Sequence, residues 1–356
     1  MEDKRNIPSG MRFLVTAACF VIIVAGMRTA SSILVPLLLS LFIAKICTPF
    51  LFWMQRKRIP NVLAVVLILL ALVGIGWLLA VVVGSSLNNF SSALPLYQER
   101  LTAQIASLTS WLRSHGMGVS DQVLTDYFDP RKAMGLVAKT LTGLRTVLTN
   151  IFLILLAVVF ILLEASGFPK KLRAALTDPD ESLGRLSKIS ESVNRYLLIK
   201  TLFSMLTGIA IWIWLYILGV DFPLLWGLLA FLLNFVPNIG SMIAAVPALL
   251  LALIQLGPSS TLLTLLGYVV VNVSIGSIME PKFMGRGLGL STLVVFLSLI
   301  FWGWVLGPVG MLLSVPLTMI VKIALESDDD TRWLGILLGS APPPDHTESP
   351  AAKPSE

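Results

Sequence analysis

Long apolar runs separated by short polar clusters set the organisation of this chain. Residues 11–28, 31–53 and 61–84 form the first three runs. Each approaches the 20 or so residues that a helix needs to cross a bilayer. Only residues 13–27 separate Arg12 from Arg28, so both arginines are expected to snorkel. Further runs cover 147–164, 201–219 and 260–279. These six are the predicted full spans. The runs are too continuous for barrel strands, which alternate apolar and polar positions. The expected class is an all-α polytopic membrane protein.

Residues 85–142 change character. Leu101, Ile105, Leu108 and Leu112 recur at helical spacing and predict an amphipathic helix. Glycines at 116 and 118 break it, and Ser120 can cap a short helix beyond. Asp129 and Pro130 read as N-cap and first turn of another helix, whose stripe through Met134, Val137, Leu141, Leu144 and Leu148 leads into the fourth span. Three preceding spans place this small helical domain outside the cell, given a cytoplasmic N-terminus. Residues 165–200 carry Lys170, Lys171, Arg173, Arg185, Lys188, Arg195 and Lys200 and are read as cytoplasmic. Their stripe of Leu183, Leu186, Ile189, Val193 and Leu197 predicts a helix lying at the interface.

Two apolar runs, 222–256 and 290–325, are interrupted. The first contains N-F-V-P-N-I-G at 234–240, the second L-G-P-V-G at 306–310. Pro237 and Pro308 lack an N–H, and Gly240, Gly307 and Gly310 admit backbone angles other residues avoid. Charge parity favours a chain that folds back at each break. Arg56, Lys57 and Arg58 mark one cytoplasmic end, and Lys282 and Arg286 share that side only if 222–256 enters and returns. The competing reading is a tilted 35-residue helix. The predicted architecture is therefore about six full spans plus two opposed re-entrant hairpins facing tip to tip. Five regions follow: a three-helix membrane unit (1–84), an extracytoplasmic helical domain (85–142), the fourth span with an amphipathic linker (143–200), a transport core (201–326) and a largely disordered cytoplasmic tail (327–356).

Composition supports this class. The 356 residues are 56% hydrophobic and 13% charged, with a mean hydropathy of +0.87. A soluble domain is about 25% charged. The net charge of +6 sits beside apolar spans, where it sets topology, and does not indicate a nucleic-acid partner. Cys19 and Cys47 both fall in predicted spans, so no disulfide framework is expected. His115 and His346 have no metal-ligand spacing around them. No phosphate-binding G-x-x-x-x-G-K-[ST] loop, H-E-x-x-H or serine–histidine arrangement occurs. No cofactor, metal or enzymatic activity is expected. The first run follows Lys4 and Arg5 like a signal peptide, but is read as an uncleaved helix because another span follows at once.

The polar groups at membrane depth are the candidate site. They are Asn234, Asn238 and Ser241 with Pro237 and Gly240 at the first break, Asn272 in the span between, Glu280 at its end, and Gly307, Pro308, Gly310 and Ser314 at the second break. Taken singly, each Asn or Ser reads as glue between helices. As a set centred on two broken segments they read as a site for a small polyhydroxylated solute or a cation. Glu280 is the best intramembrane carboxylate, with Lys282 or Arg286 as its expected partner or a plain interfacial salt bridge as its fate. Lys45 is expected to snorkel to the cytoplasm without a role.

The phrases N-F-V-P-N-I-G-S (234–241), M-E-P-K-F-M-G-R-G-L-G-L-S (279–291) and G-P-V-G-M-L-L-S-V-P (307–316) resemble the autoinducer-2 exporter family. So do L-P-L-Y (94–97) and the helix start at Asp129 and Pro130, and the resemblance covers about 11–326. It implies a secondary transporter of the bacterial inner membrane that exports the signal molecule autoinducer-2, with both termini cytoplasmic. It also implies a homo-oligomer, with a pentamer as the expected count. Some relatives are described as sodium/proton antiporters, so a cation/proton antiporter coupled through Glu280 is the alternative. A membrane scaffold whose outer domain binds a partner is a third, and the buried polar groups at the breaks speak against it.

Overall fold

The computed structural model describes residues 9–115, 135, 151–165, 167–175, 179–237, 239–284, 289–327 and 330–340. Expectations for the helices after Ser120 and Asp129, for Asn238, for Arg286 and for 341–356 lie outside these residues. The described residues form helices and turns, with no strand. In chain order they are α1 (Ser9–Thr29), α2 (Ser31–Arg56), α3 (Asn61–Ser114), α4 (Ile151–Ala165), α5 (Phe168–Ala175), α6 (Pro179–Leu218), α7 (Pro223–Leu233), α8 (Ile239–Leu256) and α9 (Pro258–Val271). A π-helical segment (Asn272–Met279) then leads into α10 (Glu280–Met284), followed by α11 (Thr292–Glu326) and α12 (Arg332–Leu337).

Among the described residues six stretches are long and apolar enough to cross a membrane: Ser31–Arg56, Asn61–Gln104, Ser190–Leu218, Ile239–Leu256, Pro258–Met284 and Thr292–Glu326. Four of them correspond to the predicted spans 31–53, 61–84, 201–219 and 260–279. The other two are the second half of the first interrupted run, Ile239–Leu256, and the second interrupted run, Thr292–Glu326. Most of run 11–28 and the described part of run 147–164 fall in the apolar helices Leu14–Thr29 and Ile151–Ala165.

Both interrupted runs reverse direction. The Asp221 N–H donates to Gln255 Oε1 at 2.9 Å, which brings together the two ends of 222–256. The reversal occurs between α7 and α8. Its freed backbone groups are met locally: Val236 N–H donates to Leu233 O at 2.9 Å and Gly240 N–H to Val236 O at 3.3 Å. That satisfaction is what a turn in an apolar setting requires. Gly240 is indispensable there, because a Cβ would collide with the Leu233 carbonyl.

In α11 the turn is Gly307, with φ +69° and ψ −153°, a region open in practice only to glycine. Pro308 drives the residue before it out of the helical region, and glycine accepts the alternative. Trp302 Nε1 donates to Thr318 Oγ1 at 3.0 Å. A straight helix would hold those residues about 24 Å apart. Near the base of the same hairpin, Lys322 Nζ stands 2.9 Å from where a Cβ on Gly289 would be.

Three elements extend beyond the stretches read from the sequence. The helix that begins as the third span continues past residue 84: α3 runs unbroken for 54 residues, about 81 Å. Its later half packs Phe90, Tyr97 and Leu101 against Leu225, Leu229 and Leu251 of the first hairpin. The stripe before residue 200 is not a separate interfacial helix, because α6 is continuous for 40 residues. Val193 and Leu197 are buried in a core with Phe42, Phe235, Leu313 and Met319. The tail begins with an ordered α12, tied back by Ser291 N–H donating to Leu338 O at 3.0 Å.

α6 is the central element. It packs on α7, α9, α10, α2 and α11. Gly208 of α6 and Gly227 of α7 allow close approach, since a Cβ on either would lie 2.7 Å from the other's carbonyl oxygen. Small residues let helices meet in this way where no hydrophobic force drives them together in lipid.

Candidate functional site

One face of α6 carries Tyr196, Lys200, Ser204 and Thr207, spaced four, four and three. That spacing keeps side chains in one column along a helix. All four are buried. Two neighbouring elements supply polar partners to this column.

The first partner is Glu280. Lys200 Nζ and Glu280 Oε1 are 2.6 Å apart, with side chains only 8% and 10% exposed. This corrects the expectation for Glu280: Lys282, on its own helix, is exposed and does not take it. Lys200, the last of the basic residues in 165–200, is thus buried and paired. The π-helical segment has a part in the pairing. A π turn holds more residues than an α turn, so residues beyond it are rotated relative to an unbroken helix. Glu280 is the first residue after that segment. Phe203 and Phe283, with ring centroids 5.4 Å apart, pack the same two elements together.

The second partner is Asn234, at the turn of the first hairpin. Its Nδ2 donates to Ser204 Oγ at 3.0 Å, and both residues are buried. One turn along, Thr207 Oγ1 has no hydrogen-bond partner among the described residues. Thr264 Oγ1 on α9 is likewise buried and unpaired among them. Unused hydrogen-bonding capacity in a buried column is uncommon and marks a place where a solute or water can bind.

The remaining predicted residues divide between two places. Asn272 opens the π-helical segment and donates from Nδ2 to Tyr268 O at 2.8 Å, satisfying a carbonyl of its own helix. Tyr268 in turn donates to Ala244 O of the first hairpin at 3.4 Å. Ser241 and Pro237 are partly buried at the first turn. Gly307, Pro308, Gly310 and Ser314 lie elsewhere. Gly307 borders the turn between α1 and α2. Gly310 is buried where a Cβ would strike the Trp302 carbonyl, and Ser314 donates to Met311 O at 2.8 Å within its own arm. Both hairpins pack on α6, and Phe235 at the first turn shares a buried core with Leu313 and Met319 of the second hairpin. One helix, α6, thus contacts both hairpins.

Lys200, Ser204 and Tyr196 were missed because Lys200 closes a run of basic residues. Their regular spacing with Thr207 was the available signal. Lys45 does not simply snorkel; it donates to Ser190 Oγ at 2.6 Å and ties α2 to α6.

Among the described residues, no group of three or more His, Cys, Asp or Glu could hold a metal. The AI-2E family transporter family matches residues 17–327. The AI-2 transport protein TqsA of Escherichia coli (strain K12) is 45% identical over 330 residues, covering 93% of this chain and 96% of the relative. A putative transport protein of Haemophilus influenzae is 40% identical over 345 residues, 95% of this chain and 98% of the relative. The putative transport protein YhhT of E. coli is 38% identical over 343 residues, 96% and 98% of the two chains.

Proposed function

The chain belongs to the AI-2E family of transporters, and from that premise we propose that it exports autoinducer-2 across the bacterial inner membrane as a secondary transporter working by alternating access. The observation that carries this reading is the buried column on α6, where Lys200 meets Glu280 and Ser204 meets Asn234. Ionisable groups within a membrane are costly and mark solute or ion pathways. Support for the solute comes from the name of the 45% identical relative. A small polyhydroxylated molecule suits the column chemically. Its hydroxyls can exchange for the bond between Asn234 and Ser204 and can use the open Thr207 oxygen.

In this reading the two helical hairpins are re-entrant, α7 with α8 opening from outside and α11 from the cytoplasm. α6 reports to both, so a shift at one turn reaches the other. In the same reading both termini are cytoplasmic and the later half of α3 is outside, supported by the basic clusters at Arg56, Lys57 and Arg58 and at Lys170, Lys171 and Arg173. The assembly is a homo-oligomer, a pentamer by family resemblance.

Proteoliposomes test the reading when autoinducer-2 efflux and pH-gradient dissipation are followed side by side. Efflux is expected from the wild type. Asn234→Ala and Ser204→Ala should each lower apparent affinity about 5- to 150-fold, the effect of an unpaired group worth about 1–3 kcal/mol. Dissipation of a pH gradient by added cations, with no autoinducer-2 flux, would replace the exporter by a cation/proton antiporter.

A further inference from the structure

A cavity open to the surface, of about 460 Å³, lies between the turn joining α1 to α2 and the turn of α11. Its polar lining is Arg28, Ser31 and Ser32, and Trp304 and Gly307 close the other side. The Arg28 guanidinium lies 4.5 Å from the centre of the Trp304 ring. Stacking of this kind holds the planar cation by its face and leaves its N–H edge available for an oxyanion. None of the ion pairs among the described residues involves Arg28. The two serines add hydroxyl donors. By the charge rule Arg28 is also at the wrong end of its helix: Arg56, Lys57 and Arg58 mark the cytoplasmic end of α2, and Arg28 sits at the opposite one.

The cavity opens onto an apolar track. Leu293, Leu297, Ile300 and Trp304 recur every three or four residues along the first arm of α11, and all are exposed. An oxyanion site at the head of an exposed apolar stripe has the shape of an amphiphile. We propose that this cavity binds the phosphate headgroup of an anionic phospholipid, with an acyl chain lying along the first arm of α11. Because Gly307 lines the cavity, the bound headgroup rests against the turn that lets α11 reverse, and the lipid holds that turn in place. The assignment does not depend on which solute the protein carries.

The test uses full-length protein, delipidated in mild detergent and titrated with phosphatidylglycerol or phosphatidylcholine. Native mass spectrometry counts the retained lipid. Wild type should retain phosphatidylglycerol in preference to phosphatidylcholine. Arg28→Gln should weaken retention of phosphatidylglycerol by at least about tenfold, the loss expected for charge-assisted hydrogen bonds. Arg28→Lys should recover only part, since a lysine keeps the charge but not the fork. The double variant Ser31→Ala with Ser32→Ala should weaken the same preference with the charge intact. Lys282→Gln removes a charge from a different, exposed position and should have no effect. Inorganic phosphate and glycerol phosphate, which lack acyl chains, should fail to displace the lipid at millimolar excess. Displacement by either would make this a site for a free anion. Unchanged selectivity in Arg28→Gln would also overturn the proposal.

Discussion

Breaking the pair of Lys200 and Glu280 gives the sharpest test of the buried column. At 2.6 Å the gross attraction is about 6 kcal/mol with an effective dielectric constant of 20. Moving two charges from water to sites only 8% and 10% exposed costs several kcal/mol per ion. The pair as a whole therefore contributes little net stability. Removing one member is different, because the other stays buried without a counter-charge. Lys200→Met or Glu280→Leu alone should destabilise the fold by about 3–5 kcal/mol. Glu280→Gln should fall at the lower end, since the amide oxygen still accepts one bond from the ammonium. The double variant Lys200→Met with Glu280→Leu removes both charges and should return to within about 1 kcal/mol of wild type, or exceed it. The assay is unfolding free energy by SDS titration in mixed micelles, followed by tryptophan fluorescence, with efflux measured on the same preparations. A stable double variant that no longer transports would separate function from folding. Single variants as stable as wild type would mean the two groups are not buried against each other. A double variant with wild-type efflux would remove the pair from the transport site.

Further outcomes follow from the two turns and the long helices. A double-mutant cycle on Asn234→Ala and Ser204→Ala should give a coupling energy of about 0.5–3 kcal/mol, measured by the same titration; additivity would show that the 3.0 Å bond does not form. Gly240→Ala and Gly310→Ala should each cost about 1–3 kcal/mol or more, because the added methyl meets a backbone carbonyl and not a pliable side chain. Yields and melting points equal to wild type would show that those turns are looser than described. Single cysteines in a variant lacking Cys19 and Cys47 should be labelled from outside at position 115 and only from inside at position 286. External labelling at 286 would rule out the re-entrant arrangement of α7 and α8.

Much of the scaffold is legible in the sequence because it follows from strong local signals. Apolar runs give helices, and the proline–glycine clusters at 237–240 and 307–310 give the two places where the chain turns. Helix continuity is less legible. Pro95 and the polar residues after 84 suggest a boundary, yet α3 passes through both because its later half is packed against the first hairpin. Lys200 shows the same limit for the site. A lysine at the end of a basic run looks cytoplasmic until a carboxylate eighty residues away is seen to meet it. Which residue pairs with Glu280 depends on the rotation introduced by the π-helical segment, and no local pattern in 272–279 announces that segment. Asn234 could be nominated from its place beside a break, but its partner Ser204 lies on another helix.

The separation of Lys200 from Glu280 also has a consequence for biogenesis. At about 5–20 residues per second, synthesis of the eighty residues between them takes about 4–16 s. Throughout that interval the lysine has no counter-ion, and seating it in the protein interior carries the full desolvation penalty. The first hairpin faces no such delay. Its closing bond joins residues only 34 apart, and the α3 surface it packs on has already been made. Assembly in the membrane should therefore proceed in two stages. The hairpin of α7 and α8 settles on α3 first, and the Lys200 end of α6 reaches its final depth only after Glu280 has left the ribosome. A nascent chain arrested shortly before residue 280 should keep Lys200 open to a water-soluble amine reagent, and one arrested well beyond it should not.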